Sequence, residues 1–435
     1  MSEAARPVPG SMSNAAYEQR LRDAVMDAAP LLNSRLLPVS IRSGALNKAL
    51  AAGLPQARDD LWRYADLRFL ASAALAPVAA TAPAMLAATV APLLPPRLPG
   101  YPRLVFADGR LLESLSDPCA ALNVGAAPLV PDRTRHERFG WLNDAFAVDV
   151  ARLNVTESLR IEVLFVATPG ATRQAVYPRL ELAVAASTEL VLVERHVGST
   201  GAQGLINAAV QLQAGAGSHV RHLRWQQLAP DAQFLDTAQV ALDRDARYEL
   251  TLLLLGARAA RCSLRASLYG TGAQLRLASV AVAAGKRTLD QSLLVDHMAP
   301  RTVSEQQFRA IARDAAHIAC RSRVEVGHGA RGAASSQTLK GLLAGAGSEI
   351  DLRPQLEILT DEVRASHGAT TGALDENMRF YLASRGVDAN TARALLEWAF
   401  LEDALRELAP VELRAAAEHA LADALGSDIA RQVLG

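Results

Sequence analysis

Between about residues 103 and 354 the chain alternates short apolar stretches with glycine turns, and this pattern limits its fold more than any other feature. The stretches fall at 161–167, 180–186, 190–193, 220–228, 250–255 and 275–282. Several alternate with the two-residue period of a strand: Leu180, Leu182 and Val184 face one way, and Glu181, Ala183 and Ala185 the other. Turn signals at Gly215/Gly217, Gly256, Gly270/Gly272 and Gly285 are spaced like hairpins or solenoid corners. The string Ala-Gly-Ala-Gly-Ser occurs at both 214–218 and 344–348. A long run of short strands with few helical stretches needs sheets that bury one another. A sandwich, a barrel or a β-solenoid meets that need, and the pattern leaves all three open.

Both ends read differently. Residues 17–28 and 41–52 have helical patterning, the second ended by Gly53, and 59–74 is rich enough in helix formers to predict a third helix. Residues 69–96 carry no charge and are long enough to span a bilayer. However, Pro77, Pro83, Pro92, Pro95 and Pro96 interrupt the stretch and would strand backbone groups in lipid, so it reads as an Ala/Pro-rich helix and linker. Towards the other end, Asp375 is a suitable N-cap for a helix through Ala383, with Glu376 at its positive end and Arg385-Gly386 closing it. Asn390 can cap the next helix, which has an apolar stripe of Ala392, Leu395, Leu396, Ala399, Phe400 and Ala404. Pro410 opens a last helix over 411–425. The expected organisation is an N-terminal helical domain with linker over 1–100, a strand-built core over 101–372 and a C-terminal helical domain over 373–435.

Forty-five basic residues balance 45 acidic ones, so the chain lacks the global basic footprint of a nucleic-acid or anionic-membrane binder. Only Lys48, Lys286 and Lys340 among the basic residues are not arginine. Cys119, Cys262 and Cys320 lie far apart with no CxxC, which argues against a disulfide framework or a self-sufficient thiolate cage for zinc or an iron–sulfur cluster. Glu3, Pro7 and Pro9 without an apolar core do not make a signal peptide, so a soluble, cytoplasmic protein is expected.

Catalytic motifs are scarce. Gly327-His328-Gly329-Ala330-Arg331-Gly332 fits GxGxxG and has Glu349 and Asp351 about 20 residues on, but no strand–helix alternation surrounds it, so it reads as a tight turn. There is no GxxxxGK[ST], GxSxG or HExxH. His219 and His222, if on a strand, point to opposite faces and cannot share a metal. Ser366-His367 beside Asp361 and Glu362 resembles pieces of a triad, but adjacent residues rarely reach that geometry. His367, at the junction of the strand region and the final helices, stands out as an imidazole suited to iron or zinc. A histidine that simply holds a turn together is the competing reading.

The same residues carry a resemblance. The run Pro354-Gln355-Leu356-Glu357-Ile358, then Asp361-Glu362-Val363, Ser366-His367-Gly368-Ala369-Thr370, Gly372, Leu374-Asp375 and 380–386 resembles the signature of the SufB/SufD family of the SUF iron–sulfur cluster assembly system. His297, Pro300, Thr302, Ser304, Gln337 and Leu342-Leu343 continue the pattern upstream. Gly53-Leu54-Pro55 and Leu61-Trp62-Arg63-Tyr64 look like the D-type member. The resemblance implies a mainly β chain with α: a right-handed parallel β-helix core flanked by N- and C-terminal helical domains. It further implies a non-catalytic scaffold that pairs through the β-helix with its B-type paralogue, SufB, and docks the SufC ATPase on its C-terminal helices. Residues 375–405 are the expected docking region, with Arg385, Arg393, Glu397, Glu402 and Asp403 offering charge. No cofactor is expected on the isolated chain, and an iron–sulfur cluster or iron is bound only transiently in the complex.

Within the resemblance, His367 matches a histidine proposed as an iron or cluster ligand at the SufB–SufD interface. Where family members often have cysteine before Ser366, this chain has Ala365, and Cys320 reads as a buried structural thiol. The open edge of a β-helix also suggests self-association of the isolated chain. Two other readings remain: a solenoid enzyme such as a polysaccharide lyase or acyltransferase, and the B-type paralogue itself. Sparse cysteines and the Trp62 motif disfavour the latter.

Overall fold

In the computed structural model, residues 12–32, 37–55, 59–123, 138–168, 174–199 and 204–426 are described. Strands run from Arg103–Ala107 to Val363–Gly372, and the chain alternates between two sheets at nearly every corner. Within each sheet a strand pairs in parallel with the strand of the next coil. Leu277 thus lies against Gln306, which lies against Gln337, a coil of roughly 30 residues. The result is a parallel β-helix, and it settles which of the three sheet architectures the chain adopts.

Parallel, in-register strands place paired residues on the same face, so side chains form files along the solenoid. One inward file runs Leu192, His222, Leu250, Leu277, Gln306, Gln337, His367. Most inward positions are apolar and make one continuous core between the sheets. The two copies of Ala-Gly-Ala-Gly-Ser are corners of different coils. In the second, a Cβ on Gly345 would lie 2.3 Å from the backbone nitrogen of Asp314 in the coil beneath, so only glycine fits.

The N-terminal helices are α1 (Asn14–Ala28), α2 (Val39–Ala52) and α3 (Pro83–Val90). The helix expected over 59–74 is absent. In its place are two 3-10 turns, Asp60–Trp62 and Arg68–Ala71. Tertiary contacts override helix propensity here. Trp62 is buried under the Arg261 guanidinium at 3.8 Å, and Asp60 reaches Arg353 at 2.6 Å, which holds the segment flat on the solenoid. No described helix is long and apolar enough to cross a membrane. A helix that the pattern did not suggest, α4 (Arg138–Phe146), joins this layer through the buried Arg42, whose guanidinium donates to the Ala145 carbonyl at 3.0 Å.

At the other end lie α5 (Glu376–Ser384), α6 (Ala389–Glu402) and α7 (Val411–Leu425). Asp375 caps α5 as expected, accepting from the Asn377 N–H at 2.8 Å. The cap of α6 is Asp388, not Asn390, because its carboxylate accepts from both Asn390 and Thr391. The stripe on α6 is also turned from its expected position. Ala392, Trp398, Leu401 and Ala404 are buried, Leu395, Leu396 and Phe400 half-buried, and Ala399 exposed. With Leu405, Leu413 and Leu421, this face covers Leu223, Trp225, Leu253, Val280 and Ile311 on the outside of one sheet.

Candidate functional site at the open end of the solenoid

The last strand of each sheet, Glu349–Ile358 and Val363–Gly372, has no further strand beyond it among the described residues. Each presents 10 residues of edge backbone, and Val363–Gly372 is exposed along nearly its whole length. An edge of this kind is a template for another chain's strand.

His367 sits midway along the final strand, paired with Gln337. Ala365, Ala369 and Thr371 share its inward direction, whereas Ser366, Gly368 and Thr370 face outward. Ser366 and His367 therefore diverge, and no triad can form from them. The imidazole is exposed and has no hydrogen-bond or ion-pair partner among the described residues.

Beneath it the apolar interior gives way to a polar network that uses several residues of the sequence signature. Gln337 Nε2 donates to Gln306 Oε1 (3.1 Å), the Ser322 carbonyl (2.8 Å) and Ser322 Oγ (2.9 Å). Gln306 Nε2 donates to Ser304 Oγ at 3.1 Å, which also meets Ser335 Oγ and His297 Nε2. The tautomer of His297 follows from this network. Thr302 gives its hydroxyl proton to the Ala299 carbonyl, so it must accept from His297 Nδ1–H, and Nε2 then accepts from Ser304.

Burial pushes His297 down to about 4, which keeps it neutral. Its folded value lies below the unfolded value of about 6.5, so its contribution is complete above that pH and declines as pH falls towards 4. The stability difference between wild type and His297→Asn, measured by urea denaturation, is expected to shrink by roughly 2 kcal/mol from pH 7 to pH 5. A difference that stays constant would mean that His297 is not held neutral by the fold.

A second polar cluster lies deeper in the solenoid, and of its members the sequence pattern drew attention only to His222. Arg224 Nη2 lies 2.9 Å from both Glu194 Oε1 and Asp236 Oδ1, with Nε and Nη1 completing both forks. His196 Nε2 (2.6 Å) and His222 Nε2 (3.1 Å) also contact Glu194, and His222 Nδ1 meets the Tyr248 hydroxyl at 3.0 Å. Burial alone would raise the Glu194 carboxyl, but the Arg224 guanidinium and the two imidazoles outweigh it and hold it well below the usual carboxylate range. The available signal was the two-residue spacing of Glu194 with His196 and of His222 with Arg224, which puts both members of each pair on one face of a strand. The cluster is sealed from solvent, so it acts on the fold.

The remaining sequence candidates separate. His219 points outward to Glu249 at 2.9 Å while His222 points inward, as strand alternation requires. The glycine motif is the turn between two strands, His317–Val326 and Ala333–Leu343, with no helix after it. The three cysteines are free. Burial pushes the thiols of Cys262 and Cys320 well up, so neither offers a thiolate at the open end. His317, Glu349 and Asp351 gather on the outward face, with His317 Nε2 2.8 Å from Asp351, and His367 is not among them.

Residues 165–400 match the family model described as SUF system FeS cluster assembly, SufBD core domain. The chain belongs to the SufBD family. Among SufBD proteins it is similar to the iron–sulfur cluster assembly protein SufD of Escherichia coli K12, at 27% identity over 83% of this chain and 88% of that protein. It is also similar to the SufBD family protein slr0076 of Synechocystis, at 27% identity over 85% and 87%. The Mycobacterium leprae SufBD family protein ML0594 shares 26% over 85% and 91%. For this SufBD chain, the matched span covers the inward cluster, the polar network, His367 and most of α6.

Two charges read from sequence as docking groups serve the SufBD fold itself. Glu397 is fully buried, held by Arg313 and by Arg393 at 2.9 Å, and Asp403 accepts from Arg309 at 2.8 Å. Helix α5 is the opposite case. It buries no residue, and Phe380 is 76% exposed beside exposed Met378 and Tyr381.

Proposed function

We propose that this chain is a D-type scaffold subunit of the SUF system. It pairs its two terminal strands with a B-type paralogue, SufB, carries the SufC ATPase on its C-terminal helices, and contributes His367 to iron or a nascent cluster where the two solenoids meet. The observation that carries this reading is the open end of the solenoid: two ten-residue strand edges with no further strand beyond them among the described residues, one of them carrying an imidazole that has no partner there. A single imidazole cannot hold an iron–sulfur cluster, which generally needs several thiolate or mixed ligands. With Cys262 and Cys320 buried, Cys119 beside the first coils at the other end of the solenoid, and alanine at position 365, thiolates for such a site have to come from a partner. A split site can be opened and closed by moving one subunit against the other, which couples assembly and release to ATP. The ATP-hydrolysing part belongs to the ATPase, since the chain has no phosphate-binding loop of its own. Three free thiols accord with work in the reducing cytoplasm.

Exposed apolar residues on a helix that buries nothing favour α5 as the ATPase contact. Removing everything after residue 374 is a poor test, because it would also uncover Trp225, Leu253 and Ile311. Point substitutions avoid this. In anaerobic co-expression with the paralogue and the ATPase, His367→Ala is expected to leave the three proteins co-eluting but lower iron and sulfide content about tenfold. Phe380→Glu is expected to release the ATPase and leave the paralogue bound. Full cluster content in the first variant removes His367 from the reaction, and retained ATPase in the second removes α5 from the contact. Expressed without partners, the chain is expected to self-associate through the same edges.

A further inference from the structure

We propose that Gln337 is the positioning residue for His367: its side-chain oxygen accepts the ring Nδ1–H and leaves Nε2 unprotonated, pointing out of the open end of the solenoid. This rests on the reading of His367 as a ligand, since it states how the ligand is aimed.

The inward file supplies the reasoning. Gln306, Gln337 and His367 occupy the same register position on three successive coils. Between the first two, the amide of the upper residue donates to the oxygen of the lower, Gln337 Nε2 to Gln306 Oε1 at 3.1 Å. That is one rung of an amide ladder, and it leaves the oxygen of Gln337 as the acceptor for the next rung. Gln337 is 1% exposed, and its Oε1 is a buried polar atom without a hydrogen-bond partner among the described residues. A buried acceptor left in this state is costly, so the fold should fill it.

The next residue in the file is His367, whose ring is also without a partner among the described residues. Gln337 cannot turn its amide over to serve as donor instead, because Nε2 is already engaged by Gln306 and Ser322. Of the two ring nitrogens, Nδ1 is nearer the His367 backbone and Nε2 lies at the tip of the ring, so a hydrogen bond made at Nδ1 leaves the tip free for a ligand bond. A ligating histidine is ordinarily fixed by a hydrogen bond at its other nitrogen, and this arrangement supplies one.

The test is the tautomer of His367 in the full chain labelled with 15N-histidine, read by NMR at pH 8, with its signals identified by their loss in His367→Ala. A single Nδ1–H tautomer is expected in the wild type. Gln337→Leu, which removes the acceptor, should shift the tautomer ratio at least tenfold towards Nε2–H, while Gln337→Glu, which keeps an acceptor, should restore Nδ1–H. Wild-type His367 found as Nε2–H, or averaging between tautomers, overturns the proposal even if the Leu variant does not fold. In the complex with its partners, Gln337→Leu should lower cluster content about tenfold, and unchanged content also overturns the positioning role. Full cluster content in His367→Ala overturns the ligand reading instead, and is distinguishable because it leaves the wild-type tautomer as measured.

Discussion

Replacing Arg224 with alanine is expected to cost the fold about 3–5 kcal/mol, enough to abolish folding in a marginally stable protein. The guanidinium sits inside the solenoid between Glu194 and Asp236, forked onto both carboxylates, and none of the three is more than 4% exposed. Without Arg224, two carboxylates remain buried with only imidazoles nearby, and each must take up a proton or draw in water.

The pH dependence distinguishes this account from simple loss of packing. In the wild type the Glu194 carboxyl is held well below its unfolded value of about 4.3. Its contribution is therefore complete above that pH and is lost as pH falls through the folded value. In Arg224→Ala the balance reverses: burial then raises the Glu194 carboxyl, and the variant should become less stable as pH rises from 5 to 7. Urea denaturation at both values checks this. A loss under about 1 kcal/mol, or one that does not change with pH, would contradict the paired-charge account. Replacing all three residues together by apolar side chains of similar size should cost much less than Arg224→Ala alone.

Gly270→Ala is expected to be nearly as damaging, at about 3 kcal/mol or more, although it adds a single methyl group at a buried corner between coils. That methyl carbon would lie 1.9 Å from the Arg244 nitrogen and 2.2 Å from the Asp243 carbonyl carbon, both backbone atoms of the coil below. Gly270 N–H also donates to the Leu242 carbonyl at 3.1 Å, so the two corners are in direct backbone contact. A flexible side chain could move aside, but a backbone corner can yield only by separating the coils and stretching the ladder on either side. The predicted signature is a lower thermal midpoint with the secondary structure otherwise retained at low temperature. A variant that melts with the wild type would show that the corners are not closely stacked.

Much of the fold was legible because local rules and tertiary structure agree there. Alternating apolar residues between glycines gave the strands, and the caps at Asp375 and Gly53 gave helix ends at or near their observed positions. The reading failed where long-range contacts outweighed local preference. Residues 59–74 have helix-forming composition but lie flat because Trp62 and Asp60 find partners on the solenoid. The cap of α6 moved to Asp388 because an aspartate two residues earlier reaches two backbone donors. Glu397 looked like a solvent-facing charge, and only the fold reveals that Arg313 comes from the solenoid to bury it.

The candidate site divides in the same way. His367 was recognisable from its place in an ordered signature, whereas its direction was not, because a strand's inward face is defined only once the sheet has a neighbour. Taken alone, the sequence determined that the middle of the chain is built of strands, that its ends are helical, and that it carries no catalytic motif. The tertiary structure decided that the strands wind into stacked coils, which gathers His297, Gln306, Ser322, Gln337 and His367 at one end of the solenoid from five different strands. The physical reason is register. Parallel coils bring residues roughly 30 positions apart to within a few ångströms of one another, and no local preference encodes which of them will meet.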